Sequence, residues 1–404
     1  KQNHMNTKQL VKDLERIVGK NAVLHDPDDL LVFEYDGSVD RGLPAAVVFP
    51  SSTEEVSRVV ALAYREGVPI VPRGAGTGLS GGAIATAGGI EIALTRMRNI
   101  LEIDQANRLA VVEPGLVNLD LTKATAKFNL YYAPDPSSQR ACTIGGNVAE
   151  NAGGPHCLRY GVTSNHILGL EVVLEDGAVV WLGEKFRGRP GYDLLGAFVG
   201  SEGTMGVVTK VIARLLPVPG AVRTLMAIFP DIDQASSTVS RIIGNGIVPT
   251  ALEMMDSLAI KAVETAIPSG YPKDAGAILL IEIDGQVEEV DPQAADINEI
   301  CMLEGAVEMR SASETEERER LWAGRKGALG ALGVLAPNYY LVDGVVPRTR
   351  LSDVLRKVAD IGRDAGFDIA NVFHAGDGNL HPCIVFDERE SGTTARVLEA
   401  GGEI

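Results

Sequence analysis

Three groups of residues in this 404-residue chain have types and spacings that could do chemistry. The first is Pro72-Arg73-Gly74-Ala75-Gly76-Thr77-Gly78-Leu79-Ser80-Gly81-Gly82, which follows an apolar stretch. Backbone without side chains can approach a ligand closely, and consecutive amides in turn conformations make an anion-binding nest. Gly76, Gly78 and Gly81 formally satisfy the dinucleotide fingerprint, but that fingerprint opens a long amphipathic helix. Here residues 83–89 are small and glycine-broken, so the run reads as a phosphate cradle of another kind, with a tight glycine turn as the plain alternative. The second group is a set of small polar segments. They are Pro134-Asp135-Pro136-Ser137-Ser138, Thr143-Ile144-Gly145-Gly146-Asn147, Asn151-Ala152-Gly153-Gly154 with Arg159-Tyr160-Gly161, and Gly200-Ser201-Glu202-Gly203-Thr204, which runs on through Gly206 and Val207. A single large planar cofactor with a diphosphate tail would explain why all of them fall before residue 216. The third group is His374 and His381, which flank a Gly-Asp-Gly-Asn turn after the apolar run 369–373. Two imidazoles around such a turn can converge on one metal ion, and hydrogen-bonded structural histidines are the alternative.

The elements that must position these residues follow from periodicity. Residues 6–18 read as an amphipathic helix with Leu10, Leu14, Ile17 and Val18 on one face. A strand at 45–49 leads into a helix that starts at Ser51-Ser52-Thr53-Glu54-Glu55 and ends at Gly67, with the next strand at 68–71, which predicts a parallel strand pair. Strands at 89–94, 100–104 and 109–113, a helix at 116–128, and strands at 165–173, 178–182 and 205–215 follow. Pro217-Val218-Pro219-Gly220 marks a boundary. Beyond it strands at 224–229, 251–255 and 277–284 alternate with helices at 232–245, 257–266 and 290–304, a pattern that predicts an antiparallel, ferredoxin-like layer. Residues 314–320 read as a solvated helix face.

Composition narrows the function classes. The chain has 37 basic and 54 acidic residues, a net charge of −17, which argues against binding nucleic acid or an anionic membrane surface. It has no 18-residue apolar run and a polar N-terminus, from which Lys1-Gln2-Asn3-His4 is set aside as a cloning remnant. Cys142, Cys157, Cys301 and Cys383 show no paired spacing and read as free thiols in a reducing cytoplasm.

The motifs Arg73–Gly82, Pro134–Ser138, Thr143–Asn147, Gly200–Thr204 and His374–His381, in this order over nearly the whole chain, resemble those of the flavin oxidases of the vanillyl-alcohol oxidase superfamily. Within it they resemble most the branch of FAD-binding glycolate oxidase subunits, with D-lactate and D-2-hydroxyglutarate dehydrogenases as relatives. The resemblance implies an α+β chain, with a two-lobed FAD-binding domain of the PCMH type over 6–216 and a ferredoxin-like α+β substrate or cap domain over 217–404. It implies that Arg73 to Gly81 hold the FAD pyrophosphate. Pro134, Asp135, Ser137, Ser138, Thr143, Gly145, Gly146, Asn147, Asn151, Gly153, Gly154, Gly161, Glu202, Gly203, Gly206 and Val207 would line the rest of the cofactor. Residues 72–82 contain no His or Cys, so FAD is expected to be noncovalent.

The resemblance further implies a divalent metal (Zn, Mn or Fe) at His374 and His381 and a carboxylate-binding arginine at Arg325. The family continues to a Gly-Glu-His-Gly segment carrying another metal ligand and the histidine base, whereas this sequence ends at Gly401-Gly402-Glu403-Ile404. The base is therefore expected beyond Ile404, and no catalytic base is assigned. Tyr339 and Tyr340 precede Asp343 where the D-2-hydroxyglutarate branch has a lysine, which favours a small substrate. The expectation is oxidation of glycolate or D-lactate to the 2-oxo acid, with an iron–sulfur partner subunit taking the electrons and any membrane association made through partners. The alternatives are an FAD-binding subunit without independent activity and a flavin enzyme of the superfamily acting on another alcohol.

Overall fold

In the computed structural model, residues 7–404 are described except 187, 189 and 313; the segment Lys1–His4, set aside on sequence grounds, lies outside the described residues. The chain divides into two compact units, 1–153 with 161–218, and 154–160 with 219–404.

The first unit is two-lobed. The helices Thr7–Val18 and Thr53–Glu66 pack on a four-stranded sheet of spatial order Val23–Leu24, Ala46–Val48, Ile90–Ala93, Ile70–Arg73. Ser52 caps the second helix by accepting from the Glu55 amide, and Gly67 closes it at φ 66°, as its sequence signals require. The expected parallel pair is corrected: Ile90–Ala93 inserts between the two strands and is parallel to both. A βαβ crossover leaves that gap, and a strand buried along its whole length fills it. The other lobe is a five-stranded antiparallel sheet, Ile100–Asp104, Leu109–Val112, Val207–Arg214, Ile167–Val173, Val179–Gly183. The small polar segment 143–147 opens a short helix, Ile144–Glu150, capped by Thr143. Its glycines cost helix propensity, but a Cβ at Gly145 would stand 2.6 Å from the Pro114 side chain, so close packing overrides propensity there.

The second unit is built on an antiparallel sheet whose first five strands lie in the order Glu308–Ala312, Ala221–Phe229, Ala277–Gly285, Ala251–Asp256, Asp368–His374. In sequence terms the first four are fourth, first, third, second, the ferredoxin-like arrangement. Side chains alternate across a strand, so the sheet carries two cores. Met226, Ile278, Leu280, Ala251 and Met255 face the helices Ser257–Ala266 and Thr315–Ala331. Leu225, Phe229, Leu279, Ile281 and Met254 face the helices Ile232–Gly244, Val287–Leu303 and Leu351–Ala365. Residues 314–320 are mostly exposed on the second of the former helices, as expected.

Candidate functional site

In the first unit, the glycine run leaves the strand Ile70–Arg73 and reaches Ile90–Ala93 without forming a helix, which excludes the nucleotide-binding turn of a Rossmann fold. The backbone amides of residues 75–83 donate no hydrogen bond to a protein acceptor among the described residues. So long a row of uncommitted donors fits an anionic diphosphate. The glycines serve different ends. A Cβ at Gly74 would stand 2.4 Å from Thr143 Oγ1, and one at Gly76, where φ is 67°, would stand 2.3 Å from the Arg73 guanidinium. Gly81 has φ 78°. Gly78 has ordinary φ, and the nearest atom to its Cβ position, Glu150 Oε1, is 3.7 Å away. Its lack of a side chain is demanded by nothing inside the protein.

Arg73 is placed differently from the expectation. Its guanidinium is buried, donates to the Tyr35 carbonyl at 2.7 Å and to those of Ala83 and Phe33 at 3.3 and 3.4 Å, and pairs with buried Glu91 at 3.4 Å. It braces the two ends of the run from inside, so only its backbone is available to a ligand. Burial pushes the Glu91 carboxyl up to about 8 against the pull of that guanidinium. Ser80 likewise donates to Glu150 at 2.8 Å, while Thr77 and Leu79 carry no such bond.

The other expected cofactor residues show mixed commitments. Thr143 Oγ1 accepts from the Gly146 amide at 3.2 Å, and Asn147 is buried, accepting from Asn118 at 2.8 Å and donating to Cys142. Asn118 also donates to the Pro134 carbonyl at 2.9 Å. Asp135 is buried, and Ser137 and Ser138 lie in the following turn, where the Ser138 carbonyl accepts from Ala141 and Cys142. Asn151, with φ 47°, caps the helix end and accepts from the Ser164 amide at 2.9 Å. Gly161, Gly203, Gly206 and the non-glycine Glu202 all have positive φ. Val207 is a core residue at the start of its strand. Gly153 closes the first stretch of the first unit, and Gly154 belongs to the second.

In the second unit the histidine turn folds back as expected. His374 pairs with Asn379 across it, and the two imidazoles meet edge to face, 4.9 Å between centroids. His374 Nδ1 lies 2.9 Å from both oxygens of Glu253, and Arg325 Nη2 is 2.5 Å from the same carboxylate and 3.5 Å from His374. Glu253 and Arg325 are 1% and 3% exposed, so the pair is desolvated. Burial pushes the Glu253 carboxyl up, but Arg325 and then His374 outweigh it and hold it below the ordinary range. His381 sits 3.7 Å from Asp343, and burial, reinforced by His374 and Arg325, pushes its imidazole down to about 3. Among the described residues no group of three or more His, Cys, Asp or Glu is arranged to hold a metal. Among the described residues the expected divalent ion thus has two imidazoles and no third ligand arranged with them.

Glu253 was missed in the sequence, as was Glu282, whose carboxylate is also buried on this face. The available signal was a carboxylate inside an apolar strand run, Ala251-Leu252-Glu253-Met254-Met255 and Ile281-Glu282-Ile283. Such a group requires a partner.

The profile for FAD binding domains matches residues 44–183, and that for the C-terminal domain of FAD linked oxidases matches 218–404. The chain is 48% identical over 383 residues to the glycolate oxidase subunit GlcD of Escherichia coli K12, covering 95% of this chain and 77% of that protein. The chain belongs to the GlcD family of FAD-linked oxidases. The Bacillus subtilis GlcD is 40% identical over 402 residues, 99% of this chain and 86% of that protein, and an Anaerostipes hadrus D-lactate dehydrogenase is 31% identical over 404 residues, 96% and 83%. Solved structures share the fold: p-cresol methylhydroxylase has a TM-score of 0.82 at 16% identity over 98% of this chain and 86% of that one. An alkyldihydroxyacetonephosphate synthase has 0.78 at 20% identity, over 98% and 79%. As a family member the chain is an FAD-dependent oxidoreductase of the vanillyl-alcohol oxidase type. No helix among the described residues is long and apolar enough to cross a membrane.

Proposed function

We propose that this protein oxidises a small (R)-2-hydroxy acid, glycolate or D-lactate, to the 2-oxo acid and passes the electrons to a partner subunit. The observation that carries the reading is the buried cluster of Arg325, Glu253 and His374 with His381 against it. A planar guanidinium matches a carboxylate bidentately, and two imidazoles beside it supply hydrogen-bond partners for the neighbouring hydroxyl. FAD, when bound, would accept the hydride leaving Cα, which carries both electrons of the oxidation; the hydroxyl proton leaves separately to a base. In this reading the amides of residues 75–83 hold the FAD diphosphate, and Glu253 keeps the guanidinium and the His374 ring in place. The GlcD relatives are named as subunits of glycolate oxidase, which supports a partner subunit, and the four cysteines in the sequence lack the close spacing of an iron–sulfur site, which supports placing that centre on the partner. The chain's lack of the D-2-hydroxyglutarate branch lysine near Asp343 supports a small acid.

The test is the purified protein with an artificial dye as acceptor. It should be yellow, release its chromophore to the supernatant on acid precipitation, and reduce the dye with glycolate or D-lactate. Colour left in the pellet overturns the noncovalent assignment, and no turnover of either acid overturns the substrate class. Arg325→Lys keeps the charge but loses the fork. It should raise KM about tenfold or more, the worth of a charged hydrogen bond; an unchanged KM removes Arg325 from the substrate.

A further inference from the structure

Glu91 is a buried acid that the proposed oxidation does not use. It stands in the strand Ile90–Ala93, level with Val47 and Val71 on the flanking strands, and is fully buried. Leu30, Val47 and Ala93, with Phe33 and Phe49 packed against them, cover this face of the sheet with apolar side chains. Neither carboxyl oxygen of Glu91 has a hydrogen-bond partner among the described residues. Buried polar atoms are rarely left so, and such a group is costly unless it answers another charge. The charge it meets is Arg73, whose Nε is 3.4 Å away.

That guanidinium is at the same time part of the glycine cradle. Its Nη2 takes the place that a Cβ on Gly76 would need, and its Nη1 donates to the Ala83 carbonyl at 3.3 Å. It also donates to the carbonyls of Phe33 and Tyr35, and the Gly37 amide donates in turn to the Gly78 carbonyl at 2.8 Å. A positive charge therefore lies against the backbone of the run, in a dry interior where its field carries further than in water. The acids around the run make that charge matter. Glu150 Oε1 is 3.1 Å and Glu202 Oε2 3.8 Å from the Cβ position of Gly82, and Asp40 Oδ2 is 3.3 Å from that of Gly81. Burial, with Glu202 and Asp36, pushes the Glu150 carboxyl up against the pull of its Ser80 bond.

Glu91 can cancel the Arg73 charge or leave it. Burial raises its carboxyl to about 8, so the acid is mostly neutral near pH 7 and the carboxylate forms only in alkaline solution. The covering segment also carries Asp28, Asp29, Glu34, Asp36, Asp40 and Arg41, but only Arg73 pulls on Glu91. We infer that Glu91 is a positioning residue for FAD: from inside the sheet it governs how much of the Arg73 charge reaches the diphosphate, and cofactor retention falls as the solution turns alkaline. The inference rests on the reading of residues 75–83 as the diphosphate cradle. Its sign follows from linkage. A bound anion favours the neutral acid, so the ionised acid weakens FAD. Affinity is flat below about pH 8 and falls as pH rises through that value, about tenfold for each unit by which FAD raises the carboxyl further.

The FAD-loaded protein, diluted in buffers from about pH 7 to about pH 9.5, gives the dissociation constant through the fluorescence of released flavin, which should rise about tenfold over that range. Glu91→Gln, which mimics the neutral acid, should match the unmodified protein within about twofold near pH 7 and stay flat above it. Glu91→Leu, equally unable to ionise, should show the same flat profile, so that a failure of one variant to fold leaves the other to decide. Glu150→Gln should keep the alkaline loss. Infrared difference spectra between the two ends of the range supply a readout free of flavin release: the carbonyl band of a protonated carboxyl, lost in alkali, should be missing from Glu91→Gln. A dissociation constant that ignores pH in the unmodified protein, or a rise that persists in Glu91→Gln, overturns the inference. So does a Glu91→Gln protein that binds FAD weakly at every pH and melts earlier, since the carboxyl is then merely structural. Full flavin content in Gly78→Val is a separate failure: it removes the cradle from residues 75–83 and the inference with it, whatever the pH profile.

Discussion

Glu253→Ala is expected to destabilise the second unit by about 3–5 kcal/mol, the cost of leaving a buried charge without its partner. The carboxylate is the shared acceptor of Arg325 and His374, and it and Arg325 are sealed from water. Its loss leaves a guanidinium whose Nε already has no hydrogen-bond partner, in a place where water cannot replace the missing bonds. Chemical denaturation measures this as a lower midpoint at unchanged slope. Turnover should fall with it, because neither the arginine fork nor the imidazole is then held. Glu253→Gln keeps the volume and separates the two effects, since it should recover part of the stability and little of the turnover. A loss below about 1 kcal/mol for Glu253→Ala, the scale of an exposed ion pair, would show that Arg325 finds another counter-charge and would remove Glu253 from the site.

The second large effect is on flavin retention. Gly78→Val should abolish stoichiometric FAD while leaving the unfolding temperature of the flavin-free protein nearly unchanged. The protein itself leaves room at Gly78, with nothing closer than 3.7 Å to its Cβ position, so any loss reports the bound diphosphate. Gly76→Val should also lose FAD but for two reasons. The left-handed backbone there costs about 1–2 kcal/mol for a residue with a Cβ, and the Arg73 guanidinium occupies the added space, so the flavin-free protein should melt earlier as well. Absorbance ratios of flavin to protein and thermal melts after flavin removal check both. Full flavin content in Gly78→Val would move the cradle away from residues 75–83.

Much of this molecule was legible from its residues. The helix Thr53–Glu66 with its Ser52 cap and Gly67 stop, the strand Ile100–Asp104, the ferredoxin-like alternation after Pro217, and the fold-back of His374 toward His381 are all set by neighbours within a few positions. Capping, periodicity and turn chemistry act over such distances, so these elements, and the glycine spacing of the run 74–82, could be read without the fold. What the sequence could not disclose is where charges are buried. Glu253 finds its partners 72 and 121 residues away, Glu282 gathers His156, Thr224 and Trp322 from three separate segments, and Arg73 turns inward to carbonyls 38 and 40 residues behind it. Nor could it show that Ile90–Ala93 would insert between two strands or that residues 154–160 would fold with the other unit. Those outcomes were decided by tertiary structure, because a buried polar group is stable only where remote segments bring its partners to it.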